Sequence, residues 1–323
     1  MRVITRGRKL TAGETKIMSS ATSKLFFWPS VVMIALTSGA TIGVGLAKFL
    51  KKDSYEFIVS DNNFEADVNA ALEKYESVKD KGNFKESLTI DEMVNVSYAL
   101  FEQEEQTWTR GVGASIAMGL VEQKIYSTTV HDHEKFFEES VSTSNIVTIY
   151  DRMFQEGDET VTYWGSNADY ASHPAVTYSN DEYKKLMGRY VSTALIYIVS
   201  PKTILYDESL SGKPNTGVTE SGDDYIIEVE LSPKYGVLNY QSQMKTISDL
   251  ANRPPFDYCH LTITMAKDLT LKKMVTFEKY TATTKMGIGS SAEGSLATAY
   301  YHEAPSFGFP EPGSVLPAYP ASI

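Results

Sequence analysis

YCHLTITMAKDLTLKKMVTFEKYT, residues 258–281, reads as two strands joined by a turn. Cys259, Leu261, Ile263 and Met265 alternate with Tyr258, His260, Thr262 and Thr264, and Lys267-Asp268 turns the chain. Leu271–Thr281 returns with Val275 and Phe277 on one face and Thr276 and Glu278 on the other. Successive strand side chains point to opposite faces, so a period of two predicts a hairpin with one face directed to a core. The same period recurs upstream. Gly111–Met118, Val121–His131, Asn145–Phe154, Thr160–Trp164, Leu195–Ser200, Thr203–Tyr206 and Tyr225–Leu231 read as strands, and another is expected near Ala292–His302. Short polar turns between neighbours predict an antiparallel meander of seven to nine strands.

Helices frame this β region. Phe64, Val68, Ala71, Leu72 and Tyr75 share one face of an amphipathic helix over 64–79. Thr89 is placed to cap a second helix reaching about Gln106, with Asp91 and Glu92 in its first turn. The sequon Asn95-Val96-Ser97 falls inside that helix and reads as chance. Two further helices are expected, over Asp181–Gly188 and between Pro233 and Leu250, with loops at Gly165–Ser179 and Ser211–Asp223. From Pro305 onward, five of the twelve prolines fall in 19 residues, which predicts an extended or disordered tail.

The N-terminal region has a different character. Leu25–Ala47 runs 23 residues without Asp, Glu, Lys or Arg. As a helix it would reach roughly 35 Å, enough to span a bilayer core. Phe26, Phe27 and Trp28 sit at its start, and Ala35, Gly39, Gly43 and Ala47 form a small-residue stripe through which two such helices could dimerise. The alternative is a secretory signal cut after Ser38-Gly39-Ala40, and both readings export the remainder. Residues 1–24 carry a net charge of +5 and residues 53–323 carry -19. The positive-inside rule therefore places the N-terminus in the cytoplasm and the acidic bulk outside, at the cell membrane, although Lys48, Lys51 and Lys52 act against that orientation. An acidic exported domain is a poor partner for nucleic acid.

The divisions that follow are a basic tail (1–24), an anchor (25–47), a linker and stalk helix (48–86), an exported α+β domain (87–303) and a proline-rich tail (304–323). In this order of elements, residues 107–303 resemble the half-barrel lipoprotein carriers of bacterial envelopes, the LolA and LppX type. The resemblance implies a curved antiparallel sheet with covering helices and a groove for an apolar ligand. It carries over no functional residue, and the cysteine that is acylated in the lipoprotein members is absent here.

Chemistry-bearing motifs are sparse. His131-Asp132-His133-Glu134 has metal-ligand residue types, and on a strand the two histidines would share a face. Spacing supplies no third ligand, whereas zinc requires three or four, so no metal is expected. Cys259, the only cysteine, lies in an apolar row and reads as a buried small hydrophobe. No G-x-S-x-G elbow is present, and Gly111-Val-Gly113 and Gly287-Ile-Gly289 lack the lysine and hydroxyl of a phosphate loop. Glu102, Glu104 and Glu105 read as a solvated helix face, and the twenty tyrosines follow strand preference. No catalytic residue and no cofactor is expected. The reading is a non-enzymatic envelope protein that binds an apolar or amphiphilic ligand, with a protein-interaction scaffold as the alternative.

Overall fold

A computed structural model describes residues 64–117, 121–144, 148–165, 176–179, 204–205, 217–231, 241, 250–283 and 289–323. Helices α1 (Phe64–Val78), α2 (Phe84–Ser87) and α3 (Ile90–Gln103) lead into twelve strands among these residues. The first six are β1 (Gln106–Ala117), β2 (Val121–Asp132), β3 (Lys135–Ser144), β4 (Thr148–Glu156), β5 (Glu159–Gly165) and β6 (Val176–Ser179). The remainder are β7 (Ile204–Leu205), β8 (Val218–Ser221), β9 (Asp224–Leu231), β10 (Phe256–Ala266), β11 (Leu271–Thr283) and β12 (Gly289–Tyr301).

All the strands join one antiparallel sheet in the order β6-β5-β4-β3-β2-β1-β12-β11-β10-β9-β7, with β8 also paired to β9. Two meanders, one early and one late in the chain, are fused where β1 pairs β12 from Trp108↔Tyr301 to Ala117↔Ala292. At this seam a Cβ on Gly113 would collide with the Ser295 carbonyl oxygen and lie 2.9 Å from the Leu296 Cα, so only glycine fits.

One sheet face packs beneath α3. Leu261, Ile263, Met265, Ile227, Val229 and Met274 are buried there with Met93, Val94 and Val96 of the helix. Each such side chain contributes about 1.5–3 kcal/mol on leaving water. Tyr98 fastens the helix to the sheet by donating to the Met274 Sδ at 2.9 Å, and its hydroxyl lies 3.0 Å from that of Tyr300. The helix begins in a capping box. The Glu92 amide donates to Thr89 Oγ1 at 3.4 Å, and the Thr89 amide donates to Glu92 Oε2 at 2.8 Å. The helix expected over 64–79 is α1, and it packs on the domain through Ala71, Leu72 and Tyr75.

The opposite face has its own buried layer, which the chain covers with its C-terminal segment. Arg110, Thr128, Glu139 and Arg152 stand side by side in one cross-strand row from β1 to β4. Residues 304–323 form a strap along this row, extended as their prolines predict but bound to the sheet rather than free. Aromatic residues between the prolines account for the difference. Phe307 meets the Trp108 ring edge-on at 5.5 Å, and Tyr319 lies 4.8 Å from Tyr126 with the Arg110 guanidinium 4.3 Å above its own ring. Arg110 donates to the Pro317 carbonyl, and Arg152 Nη1 donates to the Ser314 carbonyl at 2.5 Å. Thr128 donates to the Tyr319 hydroxyl at 2.9 Å, which donates to Glu139 at 3.0 Å, while Arg152 Nε donates to the other Glu139 oxygen at 2.6 Å.

Three strands fall in stretches without strand periodicity. In β3, Phe136 and Phe137 are both buried, as are Glu138 and Glu139, because the helix face takes one of each pair and the strap face the other. With both faces covered, the period of two disappears. The short strands β6 and β8 lie in segments read as loops. In β11 the hydropathy misleads in the other direction: Thr276 and Glu278 are on the buried helix face, and Phe277 is 45 % exposed.

Candidate functional site

The strap leaves one end of its face uncovered. Beyond the Arg110 row, β10, β11, β12, β1, β2 and β3 line an open groove of about 1120 Å³. Register explains its composition. Tyr258, Lys279, Glu293, Ile116 and Glu122 form one cross-strand row, and Phe277, Ser295, Ala114, Lys124 and Thr143 form the next. Ile116 and Phe277 are 46 % and 45 % exposed, large apolar groups presented to solvent from regular strands. Charges at the β10–β12 side are engaged with one another. Lys279 pairs with Glu293 at 3.4 Å, and the Tyr258 hydroxyl donates to Glu293 at 3.1 Å. Burial, followed by that carboxylate, raises the Tyr258 phenol above its ordinary value. The floor is thus apolar and small, with hydroxyl and charged groups at its margins.

The groove residues were not candidates in the sequence. The available signal was Phe277 itself, an aromatic residue that shares a face of β11 with Lys273 and Lys279. The residues singled out from sequence lie elsewhere. Phe26, Phe27, Trp28, Ala35, Gly39, Gly43 and Ala47 fall outside the described residues. His131 lies one residue before the end of β2, opposite Phe136, whereas His133 occupies the β2–β3 turn at φ 56, so the two histidines do not share a strand face. His133 Nδ1 instead lies 2.8 Å from Asp132, which raises its proton affinity, and its Nε2 lies 3.5 Å from Glu105. Cys259 is buried with its thiol pushed well up by burial, as its apolar row predicts. Asn95 is buried within α3. Glu104 departs from the solvated face expected for it, holding His302 at 2.6 Å.

A second feature lies on the helix face. Glu278 is 1 % exposed, and neither carboxylate oxygen has a hydrogen-bond partner among the described residues. The Tyr280 hydroxyl two residues on is likewise buried with no hydrogen-bond partner among the described residues. Burial alone pushes the Glu278 carboxyl well above the usual carboxylate range.

The sequence matches no protein-family model, and no curated protein matches it. Among solved structures, the chain is similar to a LolA superfamily protein from Nitrosomonas europaea, at 7% identity and a TM-score of 0.20, over 66% of this chain and 91% of that one. It is also similar to a structure described as GphF Dehydratase 1, at 9% identity and a TM-score of 0.12, over 66% of this chain and 84% of the other. Superpositions this loose carry no argument about function. Among the described residues no group of three or more His, Cys, Asp or Glu is placed to hold a metal, and no helix is long and apolar enough to cross a membrane.

Proposed function

We propose that this chain is a non-enzymatic binding protein that holds an apolar or amphiphilic, lipid-like ligand in the groove at the uncovered end of the strap face. The observation that carries this reading is the groove itself: about 1120 Å³ of open space bordered by exposed Ile116 and Phe277. Pockets for small ligands fall at or somewhat below that size, and they combine apolar walls with a few polar groups. Exposed aliphatic and aromatic side chains on regular strands, with polar margins around them, suit a ligand that is greasy along part of its length.

In the same proposal the 23-residue uncharged run Leu25–Ala47 anchors the protein in a membrane, with the basic N-terminus cytoplasmic and the acidic domain on the other side. The small-residue stripe on the anchor would then serve a homodimer, and curvature of the sheet would deepen the groove.

Titration of the full chain with Nile red tests the reading. Wild type is expected to bind the dye with a blue-shifted emission, and Ile116→Asp and Phe277→Asp to lose that binding while melting within a few degrees of wild type. Dye binding that survives both substitutions would overturn the assignment of the groove. An alkaline wash of membranes tests the anchor: the full chain should stay in the pellet and a chain lacking residues 25–47 should not.

A further inference from the structure

Among the described residues, two charges of opposite sign on the groove margin make no ion pair, and they differ in this from the other charged groups around it. Glu122 and Lys124 are exposed on the same face of β2, two residues and so roughly 6.5 Å apart. Across the groove, Lys279 is taken by Glu293, Glu293 also by Tyr258, and the neighbouring His260 by Glu230. Glu122 stands opposite Ile116, and Lys124 stands between Ala114 and Thr143, so among the described pairings neither faces an opposite charge directly across a strand.

We infer that the groove reads a zwitterionic headgroup, with a phosphate-like anion at Lys124 and an ammonium at Glu122, while the attached apolar chain lies over Ala114 and Ile116 toward Phe277. This rests on the groove reading above and adds the class of headgroup. Charge complementarity selects such a head. A purely anionic head drawn to Lys124 would sit within one headgroup length of the Glu122 carboxylate, and a purely cationic head at Glu122 would meet Lys124. Only a head bearing both signs, spaced by a few bonds, satisfies both residues at once. Thr143 sits beside Lys124 in the adjacent strand, its Oγ1 accepting from Thr148 at 3.3 Å, so its own hydroxyl hydrogen remains to donate to the anionic end.

Isothermal titration of the full chain, kept in an amphipathic polymer so that no detergent head competes, tests this with three twelve-carbon probes below their micelle concentrations. These are dodecylphosphocholine, dodecanoate and dodecyltrimethylammonium. The phosphocholine is expected to bind roughly fivefold more tightly than either singly charged probe, the upper range for one exposed ion pair. Glu122→Lys should move the preference to dodecanoate and Lys124→Glu to dodecyltrimethylammonium. The swap E122K/K124E should restore phosphocholine. Equal binding of all three probes, or variants that leave the ranking unchanged, would overturn the headgroup assignment and leave the groove standing. Failure of every probe to bind, with Ile116→Asp indistinguishable from wild type, would overturn the groove reading as well.

Discussion

Replacing Glu278 with Gln should change how stability responds to pH while leaving the fold intact. The folded protein buries this carboxyl with no hydrogen-bond partner among the described residues, and burial alone raises its proton affinity well above that of the unfolded chain. A carboxyl whose folded value lies above its unfolded value binds its proton more tightly when folded. Its contribution is therefore fully present below the unfolded value, about 4.3, and is lost as pH rises toward the folded one. Inside that window each pH unit removes about 1.36 kcal/mol per group. Glutamine is nearly isosteric with the protonated acid and does not titrate, so the variant lacks this term. Glu230, raised by burial, and His133, raised by its hydrogen bond to Asp132, titrate in both proteins and cancel in the difference. Urea denaturation at pH 5 and at pH 6 should show the stability difference, variant minus wild type, growing by about 1.36 kcal/mol. Parallel stability curves would refute the reasoning, since they would mean that the Glu278 proton is held equally in both states.

Three further substitutions test the frame. Arg152→Met removes the cation paired with buried Glu139 beneath the strap and should cost about 3–5 kcal/mol in denaturation; the double variant E139L/R152M should recover most of it, and no recovery would count against the pairing. Gly113→Ala should destabilise by about 1–3 kcal/mol, read as a lower melting temperature, because the added methyl meets the β12 backbone, which cannot retreat without breaking the β1–β12 pairing. Thr89→Ala removes one half of the capping box and should cost about 1 kcal/mol, with helical circular dichroism fraying before the sheet signal.

Several elements were legible because the physics behind them is local. The β10–β11 hairpin alternates strictly, and Thr89 with Glu92 marks the start of α3 through contacts three residues apart. Other elements were hidden by coverage on both sides. The two adjacent phenylalanines and two adjacent glutamates of β3 carry no period, and only burial of both sheet faces, one of them beneath the strap, explains why all four are buried. The candidate site was hidden for a related reason: Phe277 is far in sequence from Ile116 and Lys124, and only strand register sets the three around one groove.

By itself the sequence determined the antiparallel β character, the helical entry and the single buried cysteine, since each follows from neighbouring residues. Tertiary structure alone decided that β1 pairs β12, that the proline-rich end lies bound across the Arg110 row, and which end of that face stays open. Those outcomes depend on contacts between residues as many as 207 positions apart, such as Arg110 with Pro317, and no local pattern encodes a partner at that distance.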